Sequence, residues 1–198
     1  MGSQTINGGV QSMNKKDMKV VNIVVSTSLQ HDIPLEKMAA TLSNTEYNPE
    51  QFPGLVLRIK EPKTTALIFS SGNVVCTGAK TMEEVDKSIK KIIKTLEKIN
   101  IKIKIEPKIN VQNIVASGNV GMDLNLNVLA MKLPNTEYEP EQFPGLVYKL
   151  GGKEGSDRAT FLLFSNGKIV CTGTKSEDEV DAACKKLIEN LKKVKGSK

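Results

Sequence analysis

The 198-residue chain contains one histidine, His31, and three cysteines, Cys76, Cys171 and Cys184. One imidazole supports little general acid–base chemistry, and no Ser/His/Asp set accompanies it. The cysteines form no CxxC pair and are odd in number, so neither a thiolate metal site nor a disulfide framework is expected, and a reducing compartment is. No Gly-rich loop follows a strand and opens a helix in the phosphate-cradling pattern. No apolar run approaches the roughly 20 residues of a membrane span. Residues 1–18, rich in Gly, Ser, Asn and Gln, lack an apolar signal core and read as a disordered arm. "MGSQTI" also fails the myristoylation pattern, because Ile6 stands where Ser or Thr is required. These absences favour a binding protein with no cofactor and no catalytic site.

What is present is ordinary in amount and unusual in arrangement. Hydrophobic residues make up 39% of the chain and charged residues 25%, the balance of a globular protein. Lys and Arg outnumber Asp and Glu by 28 to 22, an excess that suits a polyanionic partner without requiring one. Many acids fall in the helix-start runs "MEEVD" and "EDEVD", where they complement the helix dipole.

The arrangement is a duplication. "TEYNPEQFPGLV" at 45–56 returns as "TEYEPEQFPGLV" at 136–147, with Asn48 against Glu139 the one change. "NIVVS" from Asn22 recurs as "NIVAS" from Asn113, and Phe52 recurs as Phe143, both 91 positions later. "CTGAK" from Cys76 recurs as "CTGTK" from Cys171, 95 positions later. The four extra residues lie in "GGKEGSDR" (151–158), which replaces the shorter "KEPK" (60–63). The chain therefore divides into the arm, a first repeat at 19–107 and a second at 108–198.

Each repeat reads as a strand, a short helix (34–42, then about 125–133), the Phe-Pro-Gly stretch, three strands (near 55–60, 65–69 and 73–78 in the first) and a long helix. In that helix Val85, Ile89, Ile92, Ile93, Leu96 and Ile99 recur at helical spacing, matched by Val180, Cys184, Leu187, Ile188, Leu191 and Val194. Lys87, Lys90, Lys91, Lys94 and Lys98 occupy the opposite face, the pattern of a solvated surface. Hairpin-length loops between strands predict an α+β fold with an antiparallel sheet.

Period-two alternation then separates two sheet faces. Val21, Ile23, Val25, Ala66, Ile68, Val74 and Cys76 form the face that the helices can cover. Asn22, Val24, Leu67, Phe69, Val75 and Thr77 form the other, with a copy in the second repeat. Antiparallel sheets in water normally turn polar residues outward. An apolar second face is either an interaction surface or a sandwich core between the two halves.

The doubled run "NIVVS…EYNPEQFPGLVLRIKEPKTTALIFSSG…VCTGAK" resembles the conserved core of the TATA-binding protein family, over roughly residues 19–195. The resemblance implies a saddle: two quasi-symmetric repeats sharing one curved antiparallel sheet, with helices on the convex face. It implies that the concave face binds and bends TATA-type promoter DNA through the minor groove. Asn22 and Asn113 would lie at the pseudo-dyad, with Val24, Val75, Val115, Val170, Thr77 and Thr172 lining the groove and Leu67 and Leu162 beside them. Phe52 with Phe69, and Phe143 with Phe164, would be wedges entering a base step at each end of the site. That bending mode belongs to the family and does not follow from residue spacing.

By the same resemblance Arg58, Lys60, Lys63, Lys80, Lys149, Lys168 and Lys175 would meet phosphates, which positions the protein without reading sequence. Asn73 stands where the family usually has Lys, and the 151–158 insertion leaves the role of Arg158 open. Glu137, Glu139 and Glu141 in the second Phe-Pro-Gly loop would dock transcription factor B or IIB, leading on to the RNA polymerase preinitiation complex. The family also implies a possible homodimer of the free protein. It places the chain in the nucleus of a eukaryote or in the cytoplasm and nucleoid of an archaeon. The competing reading is a dimerisation or interaction scaffold that uses the apolar face.

Overall fold

The computed structural model describes residues 18–196. Apart from Met18, the predicted N-terminal arm, with its "MGSQTI" start, lies outside the described residues. The chain forms two compact units, Val20–Ile114 and a second that begins at Val115.

The first unit runs β1 (Lys19–Ser28), α1 (Leu35–Thr41), β2 (Thr45–Glu46), β3 (Leu55–Ile59), β4 (Thr64–Ile68), β5 (Asn73–Ala79) and α2 (Met82–Glu97). The second repeats this with β6 (Asn110–Asn119), α3 (Leu126–Lys132), β7 (Thr136–Glu137), β8 (Leu146–Lys149), β9 (Thr160–Leu163), β10 (Lys168–Thr174) and α4 (Glu177–Gly196). Strand order is β2-β3-β4-β5-β1 in one and β7-β8-β9-β10-β6 in the other. The paired strands are antiparallel, so the expected α+β class is found, with every expected strand and helix within a few residues of its place. The two-residue strands β2 and β7 were not anticipated, since Thr-Glu is too short to show a period.

Register puts the alternating apolar residues behind the sheet. Ile23, Val25, Leu55, Leu57, Ala66, Ile68, Val74 and Cys76 are buried beneath α1 and α2, together with Val85, Ile89, Ile92 and Leu96. Val21 departs from the expected core set: it keeps the alternation of β1 but is exposed at 36%, because it lies beyond Ile23, where the pairing with β5 ends. Both long helices start on a capping box. Thr81 Oγ1 accepts from Glu84 N while Glu84 Oε2 accepts from Lys80 N, and Ser176 with Glu179 repeats the arrangement at Lys175 N.

The two cores are related but not identical. In the first, Thr64 and Ser88 share a buried hydrogen bond of 2.9 Å, and in the second the equivalent positions are Ala159 and Ala183, both buried. The pair has changed together, which avoids leaving a lone hydroxyl in the core. The β8–β9 insertion forms a 3-10 turn, Gly155–Arg158, tied to α4 by Lys186 through Asp157 and Ser156. Lys91, the α2 counterpart of Lys186, bonds the shorter β3–β4 loop at the Glu61 carbonyl. One helix lysine therefore clamps the hairpin loop in both units, whatever the loop length.

Burial pushes the Cys76 thiol up, against hydrogen bonds from Thr64 and Ser88. The hydrogen bond to Cys184, aided by burial, pushes Cys171 up. Both thiols are therefore protonated at neutral pH, as expected of structural cysteines.

Candidate nucleic-acid interface

The second sheet face is neither buried nor polar. Asn22, Val24, Leu67, Phe69, Val75 and Thr77 are all half-buried, and so are Asn113, Val115, Leu162, Phe164, Val170 and Thr172. Register lines these up across strands. Val56 faces Leu67 and Leu67 faces Val75, and Val147, Leu162 and Val170 form the same row in the second unit. Val56 and Val147 were not singled out from sequence, although the alternation in "LVLRI" and "LVYK" marks them. Thr65, between Arg58 and Thr77 in the ladder, joins the face as well, as does its counterpart Thr160.

Asn22 is oriented by its neighbours. The Gly78 N–H donates to Oδ1 at 2.7 Å, which decides which way round the amide lies. Nδ2 then donates to the Thr77 hydroxyl at 3.1 Å, and that hydroxyl lies 3.2 Å from Oδ1 and donates back. An Asn amide has two N–H donors, so the second one is left for a ligand acceptor. Gly78 has φ +102°, where a Cβ would lie 2.9 Å from the Lys63 carbonyl oxygen, so this amide position requires glycine. Asn113 and Thr172 in the second unit are likewise engaged in contacts.

The Phe-Pro-Gly loops fold identically. Asn48 O accepts from the backbone N–H of Gln51 and Phe52, and Glu139 O does the same for Gln142 and Phe143. Each turn lays its Phe edge-on against a strand Phe. Phe52 and Phe69 have centroids 5.9 Å apart at 65°, and Phe143 and Phe164 5.9 Å apart at 70°. Phe52 stays 41% exposed and Phe143 38%. The following glycine makes this possible. A Cβ on Gly54 would lie 2.6 Å from the Phe52 ring, and one on Gly145 would lie 2.6 Å from the Phe143 ring.

The cations expected to meet phosphates are exposed. Lys60, Lys63, Lys80, Lys168 and Lys175 are exposed, and Asn73 is exposed where the second repeat has Lys168. Arg58 and Lys149, also exposed, are ion-paired across strands. Arg58 forks onto Glu46, with Nη2 at 3.0 and 3.1 Å from the two carboxylate oxygens, and Lys149 Nζ lies 2.8 Å from Glu137 Oε1. Glu137 thus sits in β7 with a partner, while Glu139 and Glu141 are exposed in the loop beyond. Arg158 is exposed at the end of the 3-10 turn.

Known proteins give a consistent picture. The family model described as "Transcription factor TFIID (or TATA-binding protein, TBP)" matches residues 17–99 and 108–194. The TATA-box-binding protein of Thermococcus kodakarensis is 48% identical over 181 residues, 91% of this chain and 93% of that protein. That of Archaeoglobus fulgidus is 47% identical over 182 residues, 91% of this chain and 97% of that protein. The solved structure of Methanococcus jannaschii TBP is similar with a TM-score of 0.82 at 48% identity, covering 89% of this chain and 99% of that one.

Proposed function

Because the chain belongs to the TATA-binding protein family, we propose that it is a general transcription factor that binds TATA-type promoter DNA through the minor groove, bends it and nucleates the initiation complex. The observation that carries this reading is the half-exposed face of Asn, Val, Leu and Thr, present in equivalent form in both units. The minor groove of A·T pairs offers acceptors only, whereas G·C adds a projecting amino donor. A smooth lining of Val24, Val75, Val115 and Val170 fits the first and collides with the second. The uncommitted N–H of Asn22 supplies a donor to those acceptors, and Asn113 takes the same role in the second repeat. Leu67 and Leu162 extend the lining, as do Val56 and Val147.

The remaining roles follow the same logic. Phe52 with Phe69 and Phe143 with Phe164 act as wedges, their exposed rings entering base steps. Arg58, Lys60, Lys63, Lys80, Lys149, Lys168 and Lys175 meet phosphates. Each of the two repeats, 19–107 and 108–198, carries its own Asn-Val-Thr face and its own pair of Phe rings. Among the described residues no helix is long and apolar enough to cross a membrane. The relatives named above are archaeal, which suits work at the nucleoid.

The test is a titration at fixed ionic strength against TATA-type and G·C-rich duplexes of equal length. At least about a hundredfold preference for the TATA-type duplex is expected, since each wrong pair costs about 1–3 kcal/mol. Equal affinity would instead favour a scaffold that uses the apolar face for dimerisation, with only charge-driven attraction to DNA.

Glu139 and Glu141 face away from any phosphate role, because like charge repels the duplex. They form the surface for transcription factor B or IIB and, through it, the polymerase. Replacing both with Arg should leave DNA binding intact or slightly stronger. Recruitment of the factor onto the preformed DNA complex should weaken by about tenfold or more, the effect of placing like charge at a complementary rim. Unchanged recruitment in a gel shift would place the partner surface elsewhere.

A further inference from the structure

Both units place a carboxylate on a cation that the proposed function needs for DNA. Glu46 lies opposite Val56 in the β2–β3 ladder, which puts Arg58 diagonally across from it on the same sheet face. Glu137 lies opposite Val147 and stands in the same diagonal relation to Lys149. Long side chains span that diagonal, and both pairs form: Arg58 to Glu46 as a fork, Lys149 to Glu137 as a single contact. The partners are well exposed, with side-chain accessibilities of 60% and 66% in the first pair and 53% and 67% in the second. Exposed ion pairs of this kind contribute little to folding. Their recurrence at equivalent positions, despite an Arg in one repeat and a Lys in the other, therefore points to a role outside stability.

We propose that Glu46 and Glu137 are built-in competitors of the DNA phosphates, each occupying the phosphate-binding cation of its own repeat until the duplex displaces it. This rests on the reading of Arg58 and Lys149 as phosphate contacts. A carboxylate on a guanidinium fork imitates the geometry of a phosphate. When DNA arrives, the cation exchanges one anion for another, and the released carboxylate is left beside the backbone. The gain from each contact is lowered twice, by the pair broken and by the like charge left behind. The two acids thus restrain the sequence-independent part of the affinity in a chain that is net basic. They also reduce the number of phosphates effectively neutralised, which is what the salt dependence reads.

The experiment uses the full chain carrying Glu46→Gln and Glu137→Gln, titrated against a TATA-type duplex over a range of salt. Glu50→Gln with Glu141→Gln is the charge-matched control. Those two acids occupy equivalent positions in the same loops and hold no ion pair in the structure. The Glu46/Glu137 variant should bind about three- to tenfold tighter. Its slope of log affinity against log salt should steepen by about one to two, because each further phosphate neutralised adds about 0.9. The control should gain less than about twofold, since uncoupled charges are screened. In a background of Arg58→Met and Lys149→Met the advantage over the control should vanish. A gain no larger than the control, an unchanged slope, or a gain that survives loss of the cations overturns the proposal. If the wild-type chain itself fails to prefer the TATA-type duplex, the proposed function fails and this inference with it.

Discussion

In a TATA-type duplex labelled at both ends, the complex of the Phe143→Ala/Phe164→Ala variant is expected to show much less end-to-end energy transfer than the wild-type complex. The two rings form one edge-to-face unit, and Phe143 alone stands 38% exposed. Entering a base step costs a few kcal/mol of unstacking, which the inserted ring offsets and an alanine methyl cannot. Removing both rings removes the proposed wedge of the second repeat while leaving the Phe52–Phe69 pair of the first. Affinity should fall by about tenfold to a hundredfold, because the straighter duplex reaches less of the protein. Folding should survive. Phe164 is half-buried, so the variant loses some packing, on the order of 2 kcal/mol in total. For a chain of this size that is a melting shift of about 4–8 °C. A wild-type bend in a folded double variant would remove the wedge role from these residues.

The geometry around the proposed wedges also gives a reason for the Phe-Pro-Gly stretch to be printed twice. The turn needs Phe52 close over Gly54, and the second loop repeats that contact between Phe143 and Gly145 at the same distance. An exposed aromatic ring on a loop is a liability in water. Packing each loop ring edge-on to a strand ring limits the exposed area while leaving one edge free for a ligand.

Much of this was legible in the chain before folding. The constant 91-residue offset from Asn22 to Phe52, and its change to 95 by Cys76, located the repeat and its insertion without any structure. Period-two alternation assigned Ala66, Ile68, Val74 and Cys76 to the buried face and Leu67, Val75 and Thr77 to the other. Alternation could not decide whether that second face was open or a sandwich core, because periodicity reports sides and not neighbours. The Glu46–Arg58 and Glu137–Lys149 pairs were missed for a related reason. They depend on cross-strand register, and register here involves strands of two residues that carry no periodic signal. Val21 falls in the expected core set because alternation gives the side of a strand and not the extent of its pairing, and Val21 lies beyond Ile23, where the pairing with β5 ends. The lysine clamp on each hairpin loop joins Lys186 to Asp157, 29 residues apart, a separation that no local pattern encodes.

Minor-groove reading is the claim on which the site assignment stands, and base analogue substitution tests it most directly. An inosine–cytosine pair keeps the minor-groove acceptors of adenine–thymine, because inosine lacks the guanine amino group. In the major groove it carries the pattern of guanine–cytosine instead. If Val24, Val75, Val115 and Val170 line the groove as proposed, with the Asn22 amide oriented by Gly78, they sense the absence of that amino group and nothing on the opposite side of the pair. The decisive measurement is the affinity of the full chain for three duplexes of one length at one salt concentration: TATA-type, the same site rewritten in inosine–cytosine, and the same site rewritten in guanine–cytosine. The inosine–cytosine duplex should bind within about threefold of the TATA-type duplex, while the guanine–cytosine duplex should lose at least about a hundredfold. Loss of binding to the inosine–cytosine duplex on the scale of the guanine–cytosine duplex would mean that the major groove is read, and would contradict the account.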